Sequence, residues 1–259
     1  MTGRILLVIG MFLFVLPLST KAQGDLSVLG YWNYHHEQSH VLYSHLCQRA
    51  FRQLEERKKR IAQLKTKQDW QKRQAVIKQK LQESVGVFPA KTPLNAVITG
   101  TIERGGITVE KLYFESQPNY FVTAALFLPT GKRENLPTIL YCSGHSANGF
   151  RSQAYQQIIL NYVKKGFAVL AFDPIGQGER AQYPKSATPQ YFYQKFTPTH
   201  EHSYGGTPSF IAGVSPALHF IWDGIRAVDY LLSRKEIDSN RIGIAGRSGG
   251  GTQSVYIAG

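Results

Sequence analysis

The chain has 259 residues, a hydrophobic fraction of 42% and a formal net charge of +13. That length suits one large α/β domain with an appendage. The charge invites a nucleic-acid or membrane reading, but Arg49 to Leu81 alone contributes +9, so the excess belongs to one helical segment and no nucleic-acid partner is expected.

Residues 1–22 have the form of an export signal. Arg4 supplies a short positive start, Ile5 to Leu18 an apolar core interrupted by Pro17, and Thr20-Lys21-Ala22 a small-residue cleavage site. The apolar core is shorter than the roughly 20 residues of a spanning helix, so a cleaved signal and a mature start at Gln23 are expected, with no stable membrane span afterwards. The expected location is periplasmic or extracellular. Cys47 and Cys142 would then meet an oxidising compartment, although Cys142 sits in an apolar strand where a free thiol is ordinary.

Residues 23–95 form a helical N-terminal segment. From Tyr31 to Gly86 there is almost no Gly or Pro, and Leu42, Leu46, Phe51 and Leu54, then Ile61, Leu64, Ile77 and Leu81, recur at helical spacing. The basic residues among them read first as a solvated outer face, and second as a surface attracted to an anionic glycan or envelope. His35, His36, His40 and His45 cluster here without a zinc pattern around them, so no metal is placed on them.

Residues 96–259 change texture. Val97-Ile98, Ile107 to Val109 and Phe121 to Leu128 are β-branched and aromatic runs separated by Gly105-Gly106 and Pro118-Asn119, which predicts an antiparallel opening meander. A buried-type strand, Pro137 to Cys142, leads into the loop Ser143 to Gly149. A helix over 153–165 and a second apolar strand, Ala168 to Phe172, follow, and Asp173-Pro174 with Gly176-Gln177-Gly178 supplies turn chemistry after that strand. Ala181 to Val214 has no clean period and reads as a long irregular loop. Ser215 as N-cap and Pro216 in the first turn open a helix with Leu218, Ile221, Ile225, Val228 and Leu232 on one face. Asp238-Ser239-Asn240 then leads into the apolar stretch Ile242 to Ala245. No internal repeat or low-complexity tract interrupts the pattern. Strand and helix alternation of this kind predicts a mostly parallel sheet covered by helices on both faces, an α/β-hydrolase fold with antiparallel opening strands.

The chemistry concentrates after that last strand. Gly246-Arg247-Ser248-Gly249-Gly250 is a Gly-x-Ser-x-Gly nucleophile elbow in its strand-turn-helix context, and it needs glycine where a Cβ would strike the neighbouring strand or helix. Ser248 is the expected nucleophile. The N–H of Gly249 is one oxyanion donor, and the backbone N–H of His145 in the earlier strand-to-helix loop is the second, with Ser146 beside it. His145 as a base would reverse the usual chain order of serine, acid and histidine. His200, His202 and Arg247 are candidate pocket residues; Asp173 reads as a turn former rather than a catalytic acid. Gly176-Gln177-Gly178 lacks the Lys and Ser/Thr of a phosphate cradle, so no cofactor is expected.

Pro137 to Phe150, Phe172 to Arg180, Trp222 to Arg234 and Ile244 to Gln253 together resemble the acetyl xylan esterase-like α/β-hydrolases, relatives of the prolyl oligopeptidase and dienelactone hydrolase families. The resemblance covers about Ile98 to Gly259. It implies a serine esterase acting on acylated carbohydrate or small esters, with Ser248 as nucleophile and Gly249 and His145 as the oxyanion hole. In that family the acid and the histidine follow the elbow, whereas Thr252 to Gly259 holds no Asp, Glu or His. The expectation is therefore an N-terminal part of the hydrolase, its C-terminal strands missing, and inactive or incomplete by itself. Two alternatives remain: a peptidase of the prolyl oligopeptidase type, and a non-catalytic fragment or module that binds an anionic glycan. The sequence leaves the oligomeric state unknown.

Overall fold

The computed structural model describes residues 40–131, 134–183 and 197–259. The export signal, the histidines at 35 and 36 and the proposed start at Gln23 lie outside the described residues. The chain divides into two compact units, Met1–Thr66 and Lys67–Gly259.

In the first unit, helix α1 (Val41–Ala62) carries no buried residue, and Leu42, Leu46, Phe51 and Leu54 are all exposed. The predicted helical spacing is present. The helix carries Arg49, Arg52, Lys59 and Arg60, and its exposed Glu56–Arg60 pair at 3.8 Å contributes little to stability. Cys47 is half-buried and is a free thiol, as is Cys142.

The second unit starts with helix α2 (Lys67–Val85), whose buried residue is Val85, and continues into a six-stranded sheet. Strands β1 (Val97–Arg104), β2 (Ile107–Gln117) and β3 (Tyr120–Pro129) form the expected antiparallel meander. Gly105 and Gly106 both have left-handed backbone, φ 58° and 77°, which suits a two-residue hairpin between twisted strands. Asn119, at φ 60°, makes the second turn. Strands β4 (Leu136–Cys142), β5 (Ala168–Phe172) and β6 (Ile237–Gly246) are mutually parallel, and the order across the sheet is β1-β2-β3-β5-β4-β6. The antiparallel opening thus joins the parallel part through β3 and β5, and the sheet is mixed.

Strand alternation builds two cores. Val122, Leu126, Leu140, Cys142, Leu170 and Phe172 point to one face and pack with Ala227, Tyr230 and Leu231 of helix α5 (Pro216–Leu232). Phe127, Tyr141, Val169 and Ala171 point to the other face and pack with Tyr155, Ile159 and Val163 of helix α3 (Gln153–Lys164). Helices therefore cover both faces, as the apolar strands require. Each fully buried Leu among these contributes about 1.5–3 kcal/mol through its removal from water.

Helix α5 starts as its sequence predicts, with the Ser215 hydroxyl accepting from Ala217 N–H at 3.3 Å and Pro216 in the first turn. Its buried side is broader than the predicted stripe. Trp222, Asp223, Arg226 and Tyr230 are inside, and Leu232 is exposed. The polar groups are buried because each finds a partner: Trp222 Nε1 donates to the Ser116 carbonyl at 2.7 Å, and Arg226 bonds Asp229 and the Thr92 carbonyl. In β6, Asp238 Oδ1 accepts from Asn240 N–H and Oδ2 from Arg241 Nε, so an Asx turn sits inside the strand and regular pairing with β4 resumes at Ile242.

The predicted irregular loop is corrected in part. Residues 184–196 lie outside the described residues, but helix α4 (Pro198–Ile211) follows them. Pro198 occupies the first turn, where its missing N–H costs nothing, while Gly205, Gly206 and Pro208 erase the usual helical signal. Tertiary bonds hold it instead. The buried Glu201 carboxylate accepts from Gln182 N–H at 2.8 Å and from Tyr183 N–H at 3.3 Å.

Candidate active site

Three loops leave the carboxyl ends of the parallel strands on one side of the sheet, where ligands bind in this sheet class. The loop after β6 is the elbow. Ser248 precedes helix α6 (Gly249–Ala258) with φ 56° and ψ −125°, a backbone state that L-residues rarely adopt, and its side chain is exposed. The flanking glycines explain how the turn closes. A Cβ on Gly246 would collide with Gly250 and stand 2.5 Å from the Ser254 hydroxyl, and a Cβ on Gly250 would collide with the Cys142 carbonyl. Cys142 itself is buried, and burial pushes its thiol up to about 12, so it is an inert filler of the strand.

The loop after β4 lies directly against the elbow. A Cβ on Gly144 would stand 2.5 Å from the Arg247 carbonyl and 3.1 Å from Ser248 Cβ; a Cβ on Gly249 would stand 2.7 Å from His145 Cε1. His145 and Gly249 therefore flank the same point, and both line a cavity of about 620 Å³ with Ser143, Gln177, Phe210, Phe220 and Tyr256. Gly249 opens α6, so its N–H is one of the first-turn donors that have no partner within the helix.

The loop after β5 braces the other two. Gln177 is 2% exposed, and its Nε2 donates to the Gly144 carbonyl at 2.9 Å and more weakly to that of Ser146 at 3.4 Å. Asp173, fully buried, accepts from Thr123 Oγ1 at 2.8 Å, Arg151 at 2.9 Å and Glu179 N–H at 3.3 Å. A Cβ on Gly149 or Gly178 would collide with its carboxylate. Burial pushes the Asp173 carboxyl above the ordinary aspartate range, against the pull of Arg151, Thr123 and Glu179. Asp173 is thus a clamp between two loops, a wider role than the local turn its sequence predicts. Arg180 adds a third brace, donating to the Asp173 carbonyl at 2.9 Å and pairing with Asp223 of α5 at 2.7 Å.

Of the remaining sequence candidates, His202 reaches the cavity and bonds His145, with Nδ1 to Nε2 at 3.1 Å. His200 does not. It is exposed and bonds Thr197 at 3.1 Å, because residues two apart on a helix point to opposite sides and α4 replaces the expected loop. Ser146, Arg247 and Ser248 are not among the residues that line the cavity, so the elbow reaches it through Gly249; burial pushes the Tyr141 phenol up to about 12, against the pull of the Arg247 charge. Ser143, Gln177 and Gln253 are residues that the sequence reading missed. Ser143 is 2% exposed with an unpartnered hydroxyl, and Gln253 donates to the Phe220 carbonyl at 2.9 Å. Only the Gly-Gln-Gly turn carried a sequence signal for any of them.

The profile of the acetyl xylan esterase family matches residues 97–259. The chain belongs to the acetyl xylan esterase family. Among solved structures, a Bacteroides fragilis protein assigned to the acetyl xylan esterases is similar at 19% identity, TM-score 0.59, over 73% of this chain and 49% of its own. A glucuronoyl esterase from Solibacter usitatus is similar at 16% identity, TM-score 0.51, over 75% and 56%. Acetyl xylan esterase 1 from Thermoanaerobacterium sp. JW/SL YS485 is similar at 22% identity, TM-score 0.50, over 70% and 58%. These likenesses show the fold, and the chain spans about half the length of the first of them. No curated protein matches the chain. Among the described residues no helix of this family member is long and apolar enough to cross a membrane.

Proposed function

We propose that this protein is an exported serine esterase that removes acyl groups from carbohydrate or small esters through a Ser248 acyl intermediate. The observation that carries the reading is Ser248 itself, held at φ 56° on the strand-to-helix turn with its side chain exposed beside Gly249 and His145. In this reaction Ser248 Oγ attacks the ester carbonyl and gives up its proton to a base. The carbonyl oxygen becomes an oxyanion that accepts from the N–H groups of Gly249 and His145. The alcohol leaves with a proton, and water then releases the acid from the serine. The His145 ring is engaged by His202, which favours the backbone-donor role over that of base. Membership of an esterase family supports the reaction class, and acylated xylan is the substrate that the family's description points to.

The test is hydrolysis of p-nitrophenyl acetate and acetylated xylan by the protein expressed from its complete reading frame. Ser248→Ala is expected to lower kcat by about 10⁴- to 10⁶-fold with the fold retained. Wild-type turnover by Ser248→Ala would overturn the reading. Cleavage of a prolyl arylamide in preference to the esters would replace it with a peptidase.

A further inference from the structure

His202 is engaged at both ring nitrogens. Its Nε2 lies 2.8 Å from the Ile175 carbonyl oxygen and its Nδ1 lies 3.1 Å from His145 Nε2. A carbonyl only accepts, so His202 Nε2 carries the proton. The ring is half-buried, edge-on to Phe220 with centroids 4.9 Å apart, and beside Gly176, where a Cβ would stand 3.1 Å from its Cδ2. Burial favours the neutral ring and leaves Nδ1 bare as an acceptor. The donor across the pair is then His145 Nε2–H. A neutral His145 with that proton has a bare Nδ1, and it is the Cε1–Nδ1 edge that faces Gly249, since a Cβ there would stand 2.7 and 2.9 Å from those atoms.

We infer that His202 is a positioning residue for the reaction centre: it holds His145 in the Nε2–H tautomer with its Cε1–Nδ1 edge against Gly249. Resting on the reading of His145 as the second oxyanion donor, this gives the β4–α3 loop two supports. Gln177 fixes its carbonyls, and His202 fixes its imidazole. The chain of donors runs from His145 through His202 to Ile175, so it ties α4 and the loop after β5 to the elbow. Any shift of α4 therefore changes where His145 stands.

Histidine-ring ¹H–¹⁵N spectra of the protein from its complete reading frame, recorded above the titration range of histidine, test this directly. Both His145 and His202 are expected as Nε2–H tautomers. His202→Phe keeps a ring against Phe220 but removes both bonds. It should leave His145 as a mixture of tautomers and lower kcat by roughly 10- to 100-fold, with KM changed by no more than about twofold. His202→Gln can donate to Ile175 and accept from His145, and should recover most of the loss. A wild-type His145 protonated on Nδ1, or a folded His202→Phe with unchanged kcat, would overturn the inference. If His202→Phe does not fold, the wild-type spectrum and His202→Gln still decide it. The spectra do not depend on catalysis, so failure of the esterase reading, seen in Ser248→Ala, is separate from failure of this one.

Discussion

The antiparallel strands β1 to β3 are joined by two-residue turns that contact little else, whereas each parallel strand, β4, β5 and β6, ends in a loop wedged against the other two. A Cβ on Gly105 would meet nothing within 4 Å, yet one on Gly250 would strike the backbone of β4. The contrast shows where this fold places its constraints. The hairpin of the first half uses Gly105 for its dihedral freedom alone. The second half uses glycine because three chains must meet at Ser248, and Asp173, Gln177 and Arg180 are buried there to hold them.

Four substitutions or conditions break or sharpen that contrast. Breaking the ion pair that anchors the loops to α5, by removing one partner, has the largest expected effect on stability. Arg180→Met leaves Asp223, 1% exposed, without its cation and should cost about 3–5 kcal/mol in urea unfolding. Gly250→Ala comes next, at about 3 kcal/mol or misfolding, because neither α6 nor the Cys142 carbonyl can retreat without moving the sheet. Acid is expected to act on the same half. Burial lowers His202 below its ordinary value of 6.5, so its contribution to stability is present in full above that value and is lost as pH falls through the lowered folded-state value. Among the described residues, the titratable groups around it are His145 across the bond, Tyr256 in the same cavity, and Glu201, Tyr120, Tyr183 and His219 around a smaller adjoining cavity. A urea midpoint that falls below pH 6.5 in the wild type but not in His202→Gln would establish the assignment. The smallest effect belongs to the hairpin: Gly105→Ala, strained only by its φ of 58°, should cost about 1 kcal/mol and leave activity intact. If Gly105→Ala destabilised as much as Gly250→Ala, the distinction between the halves would fail.

The same division governs what could be read from the residues alone. Gly105-Gly106 and Pro118-Asn119 announce the meander because turn chemistry is local, and Ser215-Pro216 announces α5 for the same reason. The elbow was legible because its glycines record the collisions around it. By contrast, α4 is hidden behind Gly205, Gly206 and Pro208, and it exists through bonds from Glu201 to a segment about twenty residues earlier. The clamp at Asp173 and the support from Gln177 depend on partners in other loops, which no local pattern encodes. Placement of His202 but not His200 in the site follows only once the segment is known to be helical. The position of β5 between β3 and β4 is likewise a long-range choice.

Covalent labelling tests the central claim most directly. The protein expressed from its complete reading frame is treated with a fluorophosphonate ester, digested and read by mass spectrometry. The account predicts one phosphonyl adduct on Ser248, formed with loss of fluoride and absent from Ser248→Ala. An adduct on another residue, or labelling of Ser248→Ala at the wild-type rate, would contradict it.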